Sequence, residues 1–258
     1  MRGDGLRLSI GTLTAVPVPP PREVDRPVAR AAMLMAPLAV LPLALAAGLL
    51  AAAGIAVAAP PLLSAALVIG LLAWGSRGMH VDGLSDTADG LGASFDRARA
   101  LQIMARGDAG PMGVATLVVM LLAQAAALSA LLAPGAPDTA ALAVVAIVCG
   151  SRGVLALACV RGVPSAKPDG LGALVAGSVS PAASLASGTV VTGLAVAGGV
   201  LAGRPWWLGL AAGLACCLVT AVWVRHCARR LGGVTGDVLG SCVEIALLTL
   251  AGVLAIPG

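Results

Sequence analysis

Three aspartates lie close together beside an apolar stretch of the chain. Asp82, Asp86 and Asp89 fall within HVDGLSDTADGLGA, residues 80–93, which follows an apolar run ending at Trp74. If a helix continues past Gly83, spacings of four and then three residues place all three on one face. Carboxylates so close repel one another unless a cation lies between them. The pattern therefore indicates a cation site.

Mg²⁺ suits such oxygen donors, because it prefers oxygen ligands, keeps several waters and bridges to substrate phosphates. We therefore predict that Asp82, Asp86 and Asp89 are metal ligands and catalytic residues of a site for a phosphorylated substrate. His80 lies beside them, but it is more typical of a loop residue than of a metal ligand. The alternative is that the acids are solvated residues next to turn glycines, since Asp-Gly is common in turns.

A second acidic pair stands near the end of the chain, within RRLGGVTGDVLGSCVEIALL, residues 229–248. Asp237 precedes the last apolar run, and Glu244 follows about two helical turns later, so both could face the interior of a helix bundle. Ionisable residues inside a membrane segment are costly and are functional candidates. Two alternatives remain open, because Asp237 could cap the helix and Glu244 could pair with Arg152.

Basic residues in two polar segments could bind phosphate groups. Arg97 and Arg106 lie with Asp108 in residues 94–113, and Lys167, the single lysine, lies in the Gly- and Pro-containing segment 160–180. Arginine suits bidentate binding of phosphate, but it equally suits anionic lipid headgroups. The segment around Lys167 could approach a nucleotide through its backbone, or it could simply connect two helices.

The elements that position these residues are predicted to be membrane helices. Of 258 residues, 59% are hydrophobic and 11% are charged, whereas soluble domains carry roughly a quarter charged residues. A spanning helix needs about 20 apolar residues, and the chain offers such windows at 31–58, 62–79, 111–133, 139–159, 183–203, 206–224 and 238–256. The predicted fold is all-α: a polytopic integral membrane helix bundle of about seven transmembrane helices.

The chain is expected to form a single domain over residues 1–258, because no change of composition divides it. The six cysteines lie mostly in apolar runs without a Cys-x-x-Cys pair, so we expect small buried side chains rather than disulfides or a zinc site. The N-terminal segment, residues 1–27, could lie along the membrane interface as a short amphipathic element or be a loosely held arm.

The basic residues predict the orientation in the membrane. With a cytoplasmic N-terminus, all but two of the 16 Lys and Arg residues fall in cytoplasmic segments. The exceptions are Arg152, within an apolar window, and Arg204, on the opposite side. Because cytoplasmic segments are enriched in Lys and Arg, we predict a cytoplasmic N-terminus, which places the long polar segments with the aspartates on the cytoplasmic face.

Several motifs, in this order along the chain, resemble those of the cobalamin synthase family, the adenosylcobinamide-GDP ribazoletransferases. They are TAVPVP at 14–19, HVDGLSDTADGLGA at 80–93, RALQIMARGDAGPMG at 99–113, DGLG at 169–172 and GGVTGDVLGSCVE at 232–244. The resemblance covers nearly the whole chain, and its aspartate-rich core is specific. One departure lies at Arg106 and Asp108, where the family usually has the acid before the arginine. The individual roles of these two residues therefore stay open.

The resemblance implies a Mg²⁺-dependent enzyme of the bacterial inner membrane with a cytoplasmic active face. It would join α-ribazole, or its 5′-phosphate, to adenosylcobinamide-GDP and release GMP in the last steps of vitamin B12 synthesis. The expected partners are membrane lipid, further copies of the chain and other late enzymes of that pathway, and no nucleic acid.

Carried over, the resemblance also assigns the residues. Asp82, Asp86 and Asp89 would hold the metal and the diphosphate, and one of them or His80 would accept the proton of the attacking hydroxyl. The other substrate-binding residues would be Arg97, Arg106, Asp108, Lys167, Asp237 and Glu244.

Two other functions are weighed against this one. A CDP-alcohol phosphotransferase also uses clustered aspartates at the end of a membrane helix, but its motif requires Ala and Arg where this chain has Ser85 and Asp86. A cation-coupled transporter could use the aspartates as an ion site. Transport sites, however, usually lie near the middle of the membrane, whereas the polar residues here concentrate on one face.

Overall fold

The computed structural model describes residues 2–133 and 136–257, and this part of the chain is helical without a strand. Its helices are α1 (Arg2–Leu13), α2 (Arg26–Leu34), α3 (Ala36–Ala39), α4 (Leu41–Ala56), α5 (Pro61–Gly75), α6 (Met79–Ala93), α7 (Arg97–Met104), α8 (Pro111–Leu132), α9 (Pro137–Ala158), α10 (Gly170–Val175), α11 (Pro181–Leu201), α12 (Trp206–Leu231) and α13 (Gly236–Leu254).

Within residues 2–133 and 136–257, five helices are long and apolar enough to cross a membrane: α8, α9, α11, α12 and α13. Helices α5 and α6 together would form a sixth, broken span, bent by 88° at their junction. The prediction of an all-α, polytopic membrane helix bundle is confirmed. The count of seven helices and the cytoplasmic N-terminus stay predictions.

The predicted window 31–58 is not one continuous helix. It is divided among the end of α2, the short α3 and the 16-residue α4. Pro37 and Pro42 stand in the first turns of α3 and α4. Proline is tolerated there because the first turn has no hydrogen-bond partner for the missing N–H, so each proline marks a new helix start.

The window 62–79 ends earlier than expected, and the aspartates lie on a separate helix. Arg77 and Gly78 have φ angles of 56° and 73°, in the left-handed region that ends helices and favours glycine. The Gly78 N–H donates to the Ala73 carbonyl over 2.8 Å. This turn ends α5 and starts α6 in a new direction, so the aspartates share one helix, but it is not a straight continuation of the apolar one.

The helices pack closely through small residues. A Cβ added at Gly48 of α4 would come within 2.6 Å of the Ala141 carbonyl oxygen of α9, and one added at Gly213 of α12 within 2.5 Å of Thr192 Cα in α11. Such close backbone approach is typical of membrane helices. Helix α9 is buried along most of its length. The six cysteines are all free thiols, and all but Cys217 are buried, as expected.

The N-terminal segment is a packed helix rather than a loose arm. The Ser9 hydroxyl donates to the Ala32 carbonyl of α2 over 2.9 Å. A Cβ added at Gly5 would meet the Ala31 side chain at 2.6 Å. The segment after α1 is tied to the α5–α6 junction, because the Ala15 N–H donates to the Gly75 carbonyl over 2.6 Å. Helices α1 and α2 thus cover the start of α6.

Candidate active site

All three predicted aspartates lie on α6, in unequal surroundings. Asp82 is exposed in the first turn of the helix, whereas Asp86 and Asp89 are buried. Asp82, Asp89, Asp237 and Lys167 all lie close enough to Asp86 for their charges to interact with it. The structure therefore brings together acids from α6 and from the start of α13, with one lysine beside them.

Two glycines allow α6 and α13 to approach this closely. A Cβ added at Gly83 would come within 2.7 Å of the Asp237 carbonyl oxygen, and one added at Gly240 within 3.2 Å of the Met79 carbonyl oxygen. Each helix thus presents a glycine to the backbone of the other. This crossing places Asp82 and Asp237 beside each other at one end of the bundle.

The Asp89 side chain connects α6 to the start of α8. Its two carboxylate oxygens accept hydrogen bonds from the backbone N–H groups of Gly110 and Gly113, over 2.7 and 2.8 Å. These glycines stand at the start of α8, where backbone N–H groups have no partner within the helix. A Cβ on either glycine would collide with the Asp89 carboxylate. Asp89 therefore acts as a cap for α8 that is supplied by α6.

Asp237 does not cap α13. The Thr235 hydroxyl accepts a hydrogen bond from the Val238 N–H over 3.2 Å and donates one to the Asp237 carboxylate over 3.1 Å. The alternative that Asp237 is the helix cap is therefore wrong, because Thr235 occupies that position. The Asp237 carboxylate is held by Thr235 and stays available to a ligand.

A cavity of about 240 Å³ opens beside these carboxylates. Asp82 and Asp237 lie on its wall together with the buried His80. Both ring nitrogens of His80 are buried without a hydrogen-bond partner in the part of the chain that the structure describes. The remaining wall is mostly apolar and comes from α1, α2, α9, α10 and α13: Leu13, Met33, Leu155, Leu171 and Leu239. An apolar ligand with a polar edge would fit this cavity.

The carboxylates fit Mg²⁺ in chemical type but do not form a closed metal site. Among residues 2–133 and 136–257, no three His, Cys, Asp or Glu side chains come together as a set that could hold a metal ion. Both oxygens of Asp89 already accept backbone hydrogen bonds. Mg²⁺ usually binds through one or two carboxylates plus water and substrate phosphates. Asp82 and Asp86 match that arrangement, and metal binding stays a prediction.

Lys167 lies in the segment between α9 and α10, which hydrogen bonds hold against the turn before α13. The segment after α9 pairs with the turn before α13, since the Ala166 N–H donates to the Val234 carbonyl over 3.0 Å and the Val234 N–H to the Pro164 carbonyl over 2.9 Å. Lys167 lies close enough to Asp86 and Asp237 for charge interaction. The connecting segment is therefore a wall of the site.

The arginines of residues 94–113 differ in their contacts. Arg97 donates to the Ala166 carbonyl over 3.1 Å, which joins α7 to the Lys167 segment. Arg106 and Asp108 are exposed in the turn before α8. In the described residues neither forms an ion pair within 4.0 Å, so both are accessible to a ligand. Their substrate-binding roles stay predictions.

Glu244 lies apart from the other acids. It is buried deeper along α13, and its carboxylate accepts a hydrogen bond from Gln124 Nε2 over 2.8 Å. It does not line the cavity of Asp82 and Asp237. Arg152 is near enough for charge interaction, but no ion pair within 4.0 Å joins the two in the described part of the chain. Glu244 therefore forms a hydrogen bond with Gln124 inside the bundle and does not lie beside Asp237.

Three contacts in this region were not foreseen from the sequence: those of Gln124, Arg230 and Thr235. Arg230, near the end of α12, donates to the Leu91 and Ser94 carbonyls over 3.1 and 2.8 Å and lies 4.5 Å above the Phe95 ring. It thereby holds the end of α6. Of these three contacts, only that of Thr235 has a local signal in the sequence. Threonine is a common helix cap, and Thr235 stands just before the last apolar run.

The chain was compared with known proteins. Residues 5–255 match the cobalamin-5-phosphate synthase family. The chain belongs to this family. A relative from Nocardioides sp. (strain ATCC BAA-499 / JS614) is 49% identical, with 95% of each chain covered. Relatives from Frankia casuarinae and Sinorhizobium medicae are 37% and 32% identical, over 93% and 98% of this chain and 90% and 96% of theirs.

All three relatives are named adenosylcobinamide-GDP ribazoletransferase. No solved structure matches the chain. The match includes every motif from residue 80 to residue 244 on which the resemblance was based. The predicted membership of the cobalamin synthase family is therefore confirmed. The assignment of individual site residues stays a prediction, now restricted by the geometry above.

Proposed function

We propose that this protein is an adenosylcobinamide-GDP ribazoletransferase, which transfers α-ribazole or its 5′-phosphate to adenosylcobinamide-GDP and releases GMP. The observation that carries the proposal is the cavity beside Asp82 and Asp237, in a chain that belongs to the cobalamin-5-phosphate synthase family. Its apolar wall suits the aromatic base of α-ribazole. We expect the ribose hydroxyl and the diphosphate to meet at the edge of the cavity that Asp82 and Asp237 line.

The reaction forms one P–O bond and breaks another. A ribazole hydroxyl attacks the phosphorus on the cobinamide side of the diphosphate, and GMP leaves with the bridging oxygen. Asp82 is the exposed carboxylate on the cavity wall. One of its two oxygens would accept the hydroxyl proton, which leaves the other for a cation. His80 is a weaker candidate for the base, because it is fully buried. The negatively charged carboxylates repel the negatively charged diphosphate of the substrate. A cation must therefore lie between them to balance the charge.

Mg²⁺, when bound by Asp82 and Asp86, would supply that charge neutralisation at the diphosphate. Lys167 lies on the same side of the cluster and would bind a phosphate oxygen of the leaving GMP. Arg97 holds the Lys167 segment through the Ala166 carbonyl. Arg106 and Asp108, in the exposed turn before α8, would contact the nucleotide from the outer side of the site.

The apolar helices support an integral membrane protein, and we place it in the bacterial inner membrane. Of the 16 Lys and Arg residues, all but Arg152 and Arg204 fall in the segments predicted to lie on the side of the site, and this bias supports a cytoplasmic face by the positive-inside rule. Both soluble substrates would reach the site from that side. Association with further copies of the chain or with other late B12 enzymes is an additional expectation.

The test is GMP release by detergent-purified protein given adenosylcobinamide-GDP and α-ribazole, with Mg²⁺ or with EDTA. We expect Mg²⁺-dependent GMP and cobalamin, and a loss of about 100-fold or more for Asp82→Asn. Asp138→Asn is the matched control, because Asp138 is exposed in the first turn of α9, away from the site end. Folded wild-type protein that releases no GMP would refute the proposal, and phospholipid synthesis from a CDP-alcohol would then be assayed.

A further inference from the structure

A second polar pocket lies on the other side of α2, and none of the residues proposed for the transferase site lines it. We call it the basic pocket, and it measures about 510 Å³. Its charged and polar residues are Arg26 and Arg30 from α2, Arg161 after α9, and Ser178 after α10. Among the residues that the structure describes, no acidic one lines it. Met33 of the same α2 helix faces the transferase cavity instead.

The walls of the basic pocket are held by hydrogen bonds rather than by ion pairs. Arg26 donates to the Ala176 carbonyl over 2.8 Å. The Arg161 N–H donates to the Val179 carbonyl over 2.7 Å, and the Val179 N–H donates to the Cys159 carbonyl over 3.1 Å. Residues from three separate parts of the chain are thereby fixed around one space.

Gly177 shapes the turn that closes the pocket. Its φ angle is 63°, in the left-handed region that glycine adopts readily. A Cβ there would meet the Val163 carbonyl oxygen at 3.1 Å and the Arg26 guanidinium at 4.0 Å. Glycine therefore lets the turn pass close to Arg26 and present the Ala176 carbonyl to it.

The charges of the pocket are not balanced by protein. In the part of the chain that the structure describes, Arg26, Arg30 and Arg161 form no ion pair within 4.0 Å of a carboxylate. The Ser178 hydroxyl oxygen is buried without a hydrogen-bond partner. Three guanidinium groups around one space repel one another unless an anion lies between them. Ser178 also lines the pocket, so its unpartnered hydroxyl is a further donor for such an anion.

We propose that the basic pocket binds a phosphate group, as a phosphate ester on a small soluble molecule or as the headgroup of an anionic phospholipid. Guanidinium groups bind phosphate oxygens in pairs through parallel N–H donors, and a hydroxyl donor completes such a site. The pocket lies where α2 begins and α9 ends, at the same end of the bundle as the carboxylates. Phosphate binding there does not depend on the transferase reaction proposed above.

The experiment measures ligand-induced changes in melting temperature on delipidated, detergent-purified protein. One arm titrates inorganic phosphate against sodium chloride of equal ionic strength. The other arm titrates short-chain phosphatidylglycerol against short-chain phosphatidylcholine. The variants are Arg30→Gln and Arg161→Gln, since both side chains are exposed and removing them leaves no buried partner. Arg225→Gln is the matched control, because Arg225 is an exposed arginine of α12 outside the pocket.

We expect saturable stabilisation of the wild type by at least one of the two anions, with affinity about tenfold lower in each pocket variant and unchanged in Arg225→Gln. A response to inorganic phosphate assigns a soluble phosphate ester as the ligand class, and a response to phosphatidylglycerol alone assigns a lipid headgroup. Arg30→Lys keeps the charge and should retain part of the affinity. The proposal is overturned if neither anion stabilises the wild type above its comparator, or if the pocket variants respond like Arg225→Gln.

Discussion

At the scale of single residues, three aspartates of one motif have three different environments. Asp82 is exposed on the wall of the cavity, Asp86 is buried among other charges, and Asp89 accepts two backbone hydrogen bonds. A shared position on one helix therefore does not mean an equal role. The surroundings that distinguish them come from α8 and α13, not from α6 itself.

Asp89→Ala should lower the stability of the protein by about 2 to 3 kcal/mol, because two backbone N–H groups at the start of α8 lose their acceptor. Asp82→Asn should leave stability nearly unchanged, because its side chain is exposed, while it abolishes GMP release. Thermal unfolding in detergent, with GMP release measured on the same samples, separates the two effects. An Asp89→Ala protein that is as stable as the wild type but inactive would argue for a direct chemical role of Asp89.

At the scale of helices, the site depends on the crossing of α6 and α13. The left-handed turn at Arg77 and Gly78 directs α6 away from the line of α5. Gly83 and Gly240 then let the two backbones touch. The close crossing, rather than a loop, sets the distance between Asp82 and Asp237. A rigid contact between helices positions reacting groups more reproducibly than a mobile loop does.

Gly83→Ala should therefore damage both stability and activity. The added Cβ would lie 2.7 Å from the Asp237 carbonyl oxygen, and relieving that overlap should cost about 1 to 3 kcal/mol and move α6 away from α13. Gly70→Ala is the matched control, because nothing lies within 4 Å of a Cβ added there in α5. Gly70→Ala should leave activity unchanged, and the stability of the protein should stay the same or rise slightly. Full activity in Gly83→Ala would show that the crossing is not needed.

At the scale of the whole molecule, polar groups concentrate at one end of the apolar bundle. The starts of α8 and α13 and the ends of α6 and α12 meet there through Asp89, Asp237 and Arg230. Deeper in the bundle, Gln124 donates a hydrogen bond to Glu244. Apolar helices with one polar end suit a protein that presents a hydrophilic site at a membrane surface.

The orientation of this polar end can be tested by cysteine labelling in cells. The native thiols give little background, because five of the six are buried and Cys217 is partly buried. We expect Asp138→Cys, at the start of α9, to react with a membrane-impermeant maleimide in intact cells. Arg106→Cys, in the turn before α8, should react only after permeabilisation. The opposite result would place the site on the outer face and contradict the predicted topology.

Part of the site could be predicted because its signals are local. Helical spacing of the aspartates is read from a short window, and the family that the motifs indicated matches residues 5–255. The break between α5 and α6 was missed, since arginine rarely adopts the left-handed φ that Arg77 has and its residue type does not signal it. The expected single helix over 31–58 failed because proline starts a helix as readily as it ends one.

The sequence by itself determined the class of this protein: a helical membrane protein of the cobalamin-5-phosphate synthase family with a cluster of aspartates beside an apolar run. Hydrophobicity and short-range spacing are properties of each segment by itself. The order of the motifs is read directly along the chain. Only the tertiary structure decided that Asp89 caps α8, that Glu244 contacts Gln124 and that three arginines surround a second pocket. Such contacts join residues far apart in the chain, and no local pattern encodes a partner 120 residues away.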